Sequence, residues 1–191
     1  MPGPPWSRLG TDALAVLGLA SFVAAFWRDG VSVALFALVL LGLTVPRVCR
    51  LPGPFQVASG ATILLGAWAA VLDWYVTVPG LDVLVHAVAT GLLAVAAVLL
   101  MTRVGALPEQ LPRAGLVVVT TALGTLLAVL WEAGEWVGHS WIDEAIQVGY
   151  DDTVGDLVAG VLGSAVAGAA LASRRPAGGG PGSRGRRRGA G

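Results

Sequence analysis

The sequence predicts an all-α polytopic membrane protein, a bundle of six transmembrane helices with both termini in the cytoplasm. Three observations support this prediction. Hydrophobic residues make up 55% of the chain and charged residues only 13%, whereas a soluble domain carries roughly a quarter charged residues. Six apolar stretches approach the roughly 20 residues that cross a bilayer core. The basic residues also collect on one side of these stretches, as the positive-inside rule requires.

The six apolar stretches are separated by short polar segments. Their ranges are 9–27, 31–48, 55–76, 81–101, 114–137 and 153–172. Helices are the expected spanning form because lipid offers no partner to unpaired backbone groups, and the alternation of barrel strands is missing. Only the tripeptide RDG separates the first two stretches, so they form either a tight helical hairpin or one long kinked element.

Two terminal segments flank the predicted transmembrane domain 9–172. Residues 1–8 form a short flexible N-terminus, and residues 173–191 form an Arg/Gly-rich tail. The tail lacks the apolar residues that a folded core needs, so we expect a disordered cytoplasmic segment that can contact anionic lipid. The expected partner is the lipid bilayer. A nucleic-acid partner is not expected, because no other part of the chain supports one, and the oligomeric state is left open.

The positions of the basic residues predict the orientation. All twelve are arginines, and with the N-terminus inside, eleven of them lie on the inner side and only Arg28 lies outside. A count of five or seven spans would destroy this bias. The expected location is therefore a bacterial-type plasma membrane with both termini cytoplasmic. Cys49 is then an ordinary reduced thiol on the inner side.

Acidic residues have the opposite distribution. Ten of the twelve lie at or near the predicted outer face. Because acidic residues contribute little to topology, this asymmetry needs another cause. An interfacial belt explains most of the aromatic residues at the same level. These residues are Trp27, Trp74, Tyr75, Trp136, Trp141 and Tyr150. The acidic residues therefore predict an outward-facing site.

Three spans each present a polar pair at this outer level. The pairs are Asp82 with His86, Glu132 with Glu135, and Asp152 with Asp156; His139 follows Glu135 by four residues. Spacings of three and four place side chains on one face of a helix. Ionisable residues inside a span usually face the bundle interior and mark a functional site.

Some of these residues also have structural explanations. Asp152 can cap the N-terminus of the sixth span, and Asp82 can cap the fourth. His139 is either a ligand or a loop residue. The other members of the set fall inside the spans, which favours a shared functional site.

Small residues recur at every fourth position of the sixth span. One series is Gly160, Ser164 and Gly168, and the other is Gly155, Ala159, Gly163 and Ala167. Small residues permit close contact between membrane helices, which would bring Asp156 near the polar residues of the two preceding spans. Gly and Ala are, however, frequent throughout the chain.

The stretches LDVLVHAVATG, WEAGEW and DDTVGDLVAGVLG resemble three signatures of the YjdF-like inner-membrane proteins, a family of unknown function, and more distantly the VanZ-like membrane proteins. The resemblance covers about residues 67–167 and depends on the order and spacing of the three stretches. It implies a fold and a polar face but no reaction. Where the pattern continues with another polar side chain after Asp156, this sequence has Ala159 and Gly160.

The polar residues leave three functions open. The first is a metal-assisted enzyme that acts on a lipid-linked or headgroup substrate and uses Zn²⁺, Mn²⁺ or Mg²⁺. The second is a non-catalytic binding or envelope-support protein, in which the polar network only holds helices together. The third is a proton-linked transporter, which the absence of an inverted repeat and of inner polar residues disfavours.

The enzyme hypothesis assigns a role to each polar residue. The candidate metal ligands are Asp82, His86, His139, Asp152 and Asp156. The candidate general base, or a further ligand, is Glu132 or Glu135. No established catalytic motif such as H-E-x-x-H is present, so the assignment depends on residue type and position alone.

Overall fold

The computed structural model describes residues 3–144, 146 and 148–174, and within this part of the chain all regular structure is helical. The helices are α1 Pro5–Ala25, α2 Gly30–Val48, α3 Gly53–Val71, α4 Trp74–Thr77, α5 Leu81–Arg103, α6 Arg113–Trp141 and α7 Tyr150–Ser173. Six of them are long and apolar enough to cross a membrane, whereas α4 has four residues. The predicted all-α bundle of six spans is confirmed.

The six long helices pack as two units of three. Helices α1, α2 and α3 contact one another, α7 packs closely against both α5 and α6, and α3 contacts α5 to join the units. The α1–α2 turn, α4 and the α6–α7 loop lie at one end of the bundle, called the α4 end below. In the first unit, the rings of Phe36 and Trp68 pack with centroids 5.2 Å apart, and Phe36 is fully buried.

The first two spans form a hairpin rather than one kinked element. Asp29 caps α2: its carboxylate accepts hydrogen bonds from the backbone N–H of Ser32 at 2.7 Å and from the Ser32 hydroxyl at 3.0 Å. The backbone bond from Ser32 is the largest cause that lowers the pKa of Asp29. The Arg28 guanidinium donates to the carbonyl oxygen of Val71 at 3.1 Å, which fastens the hairpin turn to the end of α3.

Several helix ends differ from the predicted spans. The third span, predicted as 55–76, breaks after Val71 because Asp73 adopts a left-handed conformation with φ of 55°, which Asp tolerates better than most residues. The fifth span extends past 137 to Trp141, so His139 is helical. Helix α1 begins at Pro5, where proline suits the first turn of a helix. Residues 175–191 of the predicted tail lie outside the described residues.

The described arginines divide unequally between the ends of the bundle. Arg28 lies at the α4 end, and the others lie at the opposite end, namely Arg8, Arg47, Arg50, Arg103, Arg113 and Arg174. At that opposite end, Arg47 of α2 forms a salt bridge with Asp12 of α1. The basic residues and the acidic residues of α5–α7 are therefore separated along the bundle.

Candidate functional site

The site is built on a direct backbone contact between α5 and α7. A Cβ built at Gly163 would overlap the carbonyl group of Ala87, and one built at Gly91 would lie 2.8 Å from the carbonyl oxygen of Gly163. Only glycine permits two helix backbones to approach this closely. Gly160, Gly163 and Gly168 of the sixth span therefore have the packing role that the sequence predicts, whereas a Cβ built at Gly155 would meet nothing within 4 Å.

Small residues continue this packing as layers that include α6. Ser164 lies against Gly124, where any added Cβ would overlap its side chain. One turn closer to the α4 end, a Cβ at Gly160 would lie 3.1 Å from the Cβ of Ala128 and 3.3 Å from Cγ2 of Thr90. The residues of successive layers are four positions apart on each helix, which is about one helical turn.

The next layer toward the α4 end is polar. One turn beyond the layer of Thr90, Ala128 and Gly160, the sequence positions are His86 on α5, Glu132 on α6 and Asp156 on α7. Asp156 is buried, with 5% of its surface exposed, and the other two are half-buried. Nδ1 of His86 lies 3.3 Å from Oδ2 of Asp156. Tight packing below this layer thus brings the polar residues of three spans to one level.

Asp82 joins this group from the next turn of α5. Its Oδ1 lies 3.5 Å from Nε2 of His86, so the imidazole ring lies between two carboxylates, one at each nitrogen. One potential ligand atom from each of Asp82, His86 and Asp156 lies within 4.8 Å of the other two. Across the described residues, this is the single group of three that has the geometry to hold a metal ion.

The position of His86 limits the hydrogen bonds that its ring can make to the aspartates. A neutral imidazole has one N–H and donates to one carboxylate only, whereas both neighbours of His86 are acceptors when ionised. A histidine that binds a metal through one ring nitrogen usually donates its other N–H to a carboxylate, a carbonyl oxygen or water.

The two glutamates of α6 lie beside this group. Both are half-buried, and Glu135 accepts a hydrogen bond from the side chain of Trp131 and interacts electrostatically with Glu132 and Asp156. Neither belongs to the group of three. The structure therefore brings both predicted general-base candidates near the aspartates and the histidine without placing them in the same cluster.

His139, another predicted ligand, hydrogen-bonds to the backbone. Its Nδ1 lies 2.6 Å from the carbonyl oxygen of Ile146 in the α6–α7 loop. Since a carbonyl oxygen can only accept, Nδ1 is the donor and the ring is oriented by this bond. His139 lies outside the group of Asp82, His86 and Asp156.

The capping explanation for Asp82 and Asp152 is wrong. The N-cap residues are Gly80 for α5 and Gly149 for α7, and neither helix has a side-chain cap. Both aspartates instead lie in the first helical turn, where a carboxylate interacts favourably with the helix dipole. Asp152 is exposed and acts electrostatically on Asp82 and Asp156. It is a neighbour of the group rather than a member.

Tyr75 is a residue of this region that the sequence assigns only to an aromatic belt. Its hydroxyl donates a hydrogen bond to the carbonyl oxygen of Gly66 at 3.0 Å. Burial is the main cause that raises the pKa of Tyr75 above its ordinary value, and the negative charges of Asp82, Glu135 and Asp156 raise this pKa further. The direction of its side chain has no signal in the sequence, because it depends on the backbone conformation at Asp73.

Comparisons with known proteins identify a family. A family model described as "Predicted membrane protein (DUF2238)" matches residues 9–177, which include all of α5, α6 and α7. No curated protein and no solved structure matches the chain. The match covers most of the sequence and all six spanning helices, beginning at Leu9 within α1. The chain therefore belongs to the DUF2238 family of predicted membrane proteins.

Proposed function

We propose that this protein binds a divalent metal ion at the α4 end of α5–α7 and uses it on a lipid-linked or headgroup substrate. The observation that carries the proposal is the convergence of Asp82, His86 and Asp156, with ligand atoms within 4.8 Å of one another. A histidine with two carboxylates is a ligand set that suits zinc or manganese. Magnesium is less favoured because it prefers oxygen ligands.

The charge of this region supports a cation as the ligand. Asp156 is 5% exposed within a spanning helix, and Asp82, Glu132 and Glu135 are half-buried around it. Arg28 is the sole arginine that the described residues place at this end, and its guanidinium is bonded to the carbonyl of Val71. Because charged groups inside a span are costly when unpaired, a dication would offset the charge of two carboxylates.

The residues of the site would have distinct roles. Asp82, His86 and Asp156 would hold the ion, which supplies Lewis acidity when bound. Glu132 or Glu135 would accept the proton of an attacking water molecule, since both are carboxylates beside the group. His139 and Asp152 remain proposed ligands in the wider site, on the evidence of their sequence positions.

We further propose that the site faces outward from a bacterial-type plasma membrane. Arginines at the end opposite α4 support this orientation through the positive-inside rule. Both termini would then be cytoplasmic, where the arginine-rich tail can contact anionic lipid. The likeness of the three polar stretches to YjdF-like and, more distantly, VanZ-like membrane proteins supports the same location.

One observation favours a second, non-catalytic function. His86 already contacts both aspartates, so the network can fasten α5 to α7 without any metal, as in a binding or envelope-support protein. A proton-linked transporter is the weaker proposal, because close-packed small residues such as Gly124, Gly160 and Gly163 occupy the helix contacts below the polar layer.

Metal analysis of the purified protein in detergent tests the first proposal. We expect wild type, stripped with EDTA and titrated with Zn²⁺ or Mn²⁺, to bind about one ion, and His86→Ala to lose at least about tenfold in affinity. Asp151→Asn is the matched control, because Asp151 is exposed in the first turn of α7. Thermal unfolding in EDTA shows whether each variant is folded.

The same titration separates the competing functions. A wild type that binds no stoichiometric metal, and whose stability metal leaves unchanged, contradicts the metal-site proposal and leaves the helix-fastening function. Glu132→Gln should retain the ion, since Glu132 lies outside the group of three. Loss of metal from Glu132→Gln at equal folding would make it a ligand rather than a base.

A further inference from the structure

We propose that Tyr75 is a positioning residue of the metal site, whose hydroxyl donates a hydrogen bond to the carboxylate of Asp82 when a metal is bound. This inference rests on the proposed metal-binding function and adds a residue from outside α5, α6 and α7. In the structure, the same hydroxyl donates to the carbonyl oxygen of Gly66.

The backbone around α4 directs Tyr75 toward the bundle. Asp73 and Gly80, on either side of this short helix, both adopt left-handed conformations, with φ of 55° and 76°. The adjacent Trp74 and Val76 are 38% and 66% exposed, whereas Tyr75 is half-buried. The turn at Asp73 is uncommon for a residue with a side chain, and its result is that one aromatic residue of α4 faces inward.

Packing places the Tyr75 hydroxyl at the edge of the polar group. A Cβ built at Gly66 would lie 3.1 Å from the Tyr75 hydroxyl oxygen and 3.1 Å from Cγ1 of Val85. Val85 lies three positions after Asp82 and directly before His86, and residues three apart are neighbours on a helix surface. The hydroxyl therefore lies between α3 and the turn of α5 that carries two of the three ligands.

Electrostatics and hydrogen-bond chemistry indicate Asp82 as the acceptor. Among the charges that act on the hydroxyl, that of Asp82 has the largest effect. A tyrosine that stays protonated is a hydrogen-bond donor. The carbonyl of Gly66 also belongs to α3, whose own backbone bonding satisfies it, so the hydroxyl can leave it at little cost. Carboxylates that bind metals are commonly held by such outer donors.

Metal titration of Tyr75→Phe tests this inference. We expect about tenfold weaker binding of Zn²⁺ or Mn²⁺ than in wild type, with thermal unfolding in EDTA close to that of wild type. The matched control is Tyr150→Phe, because Tyr150 is the other tyrosine of the chain and is 84% exposed. Its affinity should not change.

A double-mutant cycle distinguishes positioning from a merely structural role. In an Asp82→Ala background, Tyr75→Phe should weaken binding little further, because the oxygen that accepts its hydrogen bond is gone. Unchanged affinity of Tyr75→Phe, or an equal loss in both backgrounds, would overturn the inference while leaving the metal site intact. A wild type that binds no metal would instead overturn the proposed function, and this inference with it.

Discussion

His86 and Asp156 connect α5 to α7 through an Nδ1–Oδ2 distance of 3.3 Å at the level where small-residue packing gives way to polar residues. Oδ1 of Asp82 lies 3.5 Å from Nε2, the other nitrogen of the same ring. The imidazole therefore lies between two carboxylates, and a neutral ring can donate to only one of them.

Gly163→Ala should destabilise the protein by about 1–3 kcal/mol or more, because the added methyl group would overlap the backbone of Ala87 and force α5 from α7. It should also weaken metal binding, since His86 directly precedes Ala87 on α5. Reversible unfolding in mixed detergent measures the first effect and metal titration the second.

Gly155→Ala is the matched control for this substitution. Gly155 lies on the same helix, and a Cβ built there would meet nothing within 4 Å. The change should be neutral or should stabilise α7 by up to about 1 kcal/mol, because alanine favours the helix. Equal destabilisation by both substitutions would contradict the close contact between α5 and α7.

Asp29→Ala should reduce stability by about 0.5–1 kcal/mol at neutral pH, the lower part of the usual range for an N-cap, because Asp29 is exposed. The pKa of Asp29 is lowered in the folded protein. Its contribution is therefore present above the unfolded pKa of about 3.9 and is lost as pH falls through the folded value. Thermal unfolding from pH 7 to pH 3 should show the wild type approaching the variant.

Asparagine is the control at this position. Asp29→Asn keeps a side-chain oxygen that can accept from Ser32, so it should retain most of the stability at pH 7 and show less pH dependence than wild type. A difference between wild type and Asp29→Ala that stays constant down to pH 3 would contradict the charged cap.

Cysteine labelling tests the proposed orientation. Cys49 is the single cysteine and is half-buried at the end opposite α4. In intact cells a membrane-impermeant thiol reagent should leave it unlabelled, and it should label a Cys49→Ser protein that carries Trp141→Cys at the exposed α4 end. The reverse pattern would place the site in the cytoplasm. Labelling of detergent-solubilised protein checks that both thiols can react.

The sequence was sufficient to predict the six spans because the length of each apolar stretch and the positions of the arginines can be read without knowledge of tertiary contacts. It also placed the polar pairs of the last three spans at the same end of the bundle, since the helix repeat fixes the height of each residue along its span. It could not separate Asp82, His86 and Asp156 from His139 and Asp152. That distinction depends on side-chain direction and on the α6–α7 loop, where Ile146 provides the carbonyl for His139.

The break in the third span shows a second limit. Residues 55–76 are continuous in hydropathy, and only the left-handed backbone of Asp73 ends α3 and starts α4. The backbone conformation of one residue cannot be predicted from the pattern of apolar residues. For the same reason, the inward direction of Tyr75 could not be predicted from its neighbours.

The contact between Gly163 and Ala87 also determines how the site can adapt to an ion. Because the backbones of α5 and α7 already touch, these two helices cannot approach further, and the gap between His86 and Asp156 changes only by side-chain rotation. The wall of the site that α5 and α7 form is therefore fixed, so ions of different radius would be distinguished chiefly by how far the side chains of Asp82, His86 and Asp156 must rotate.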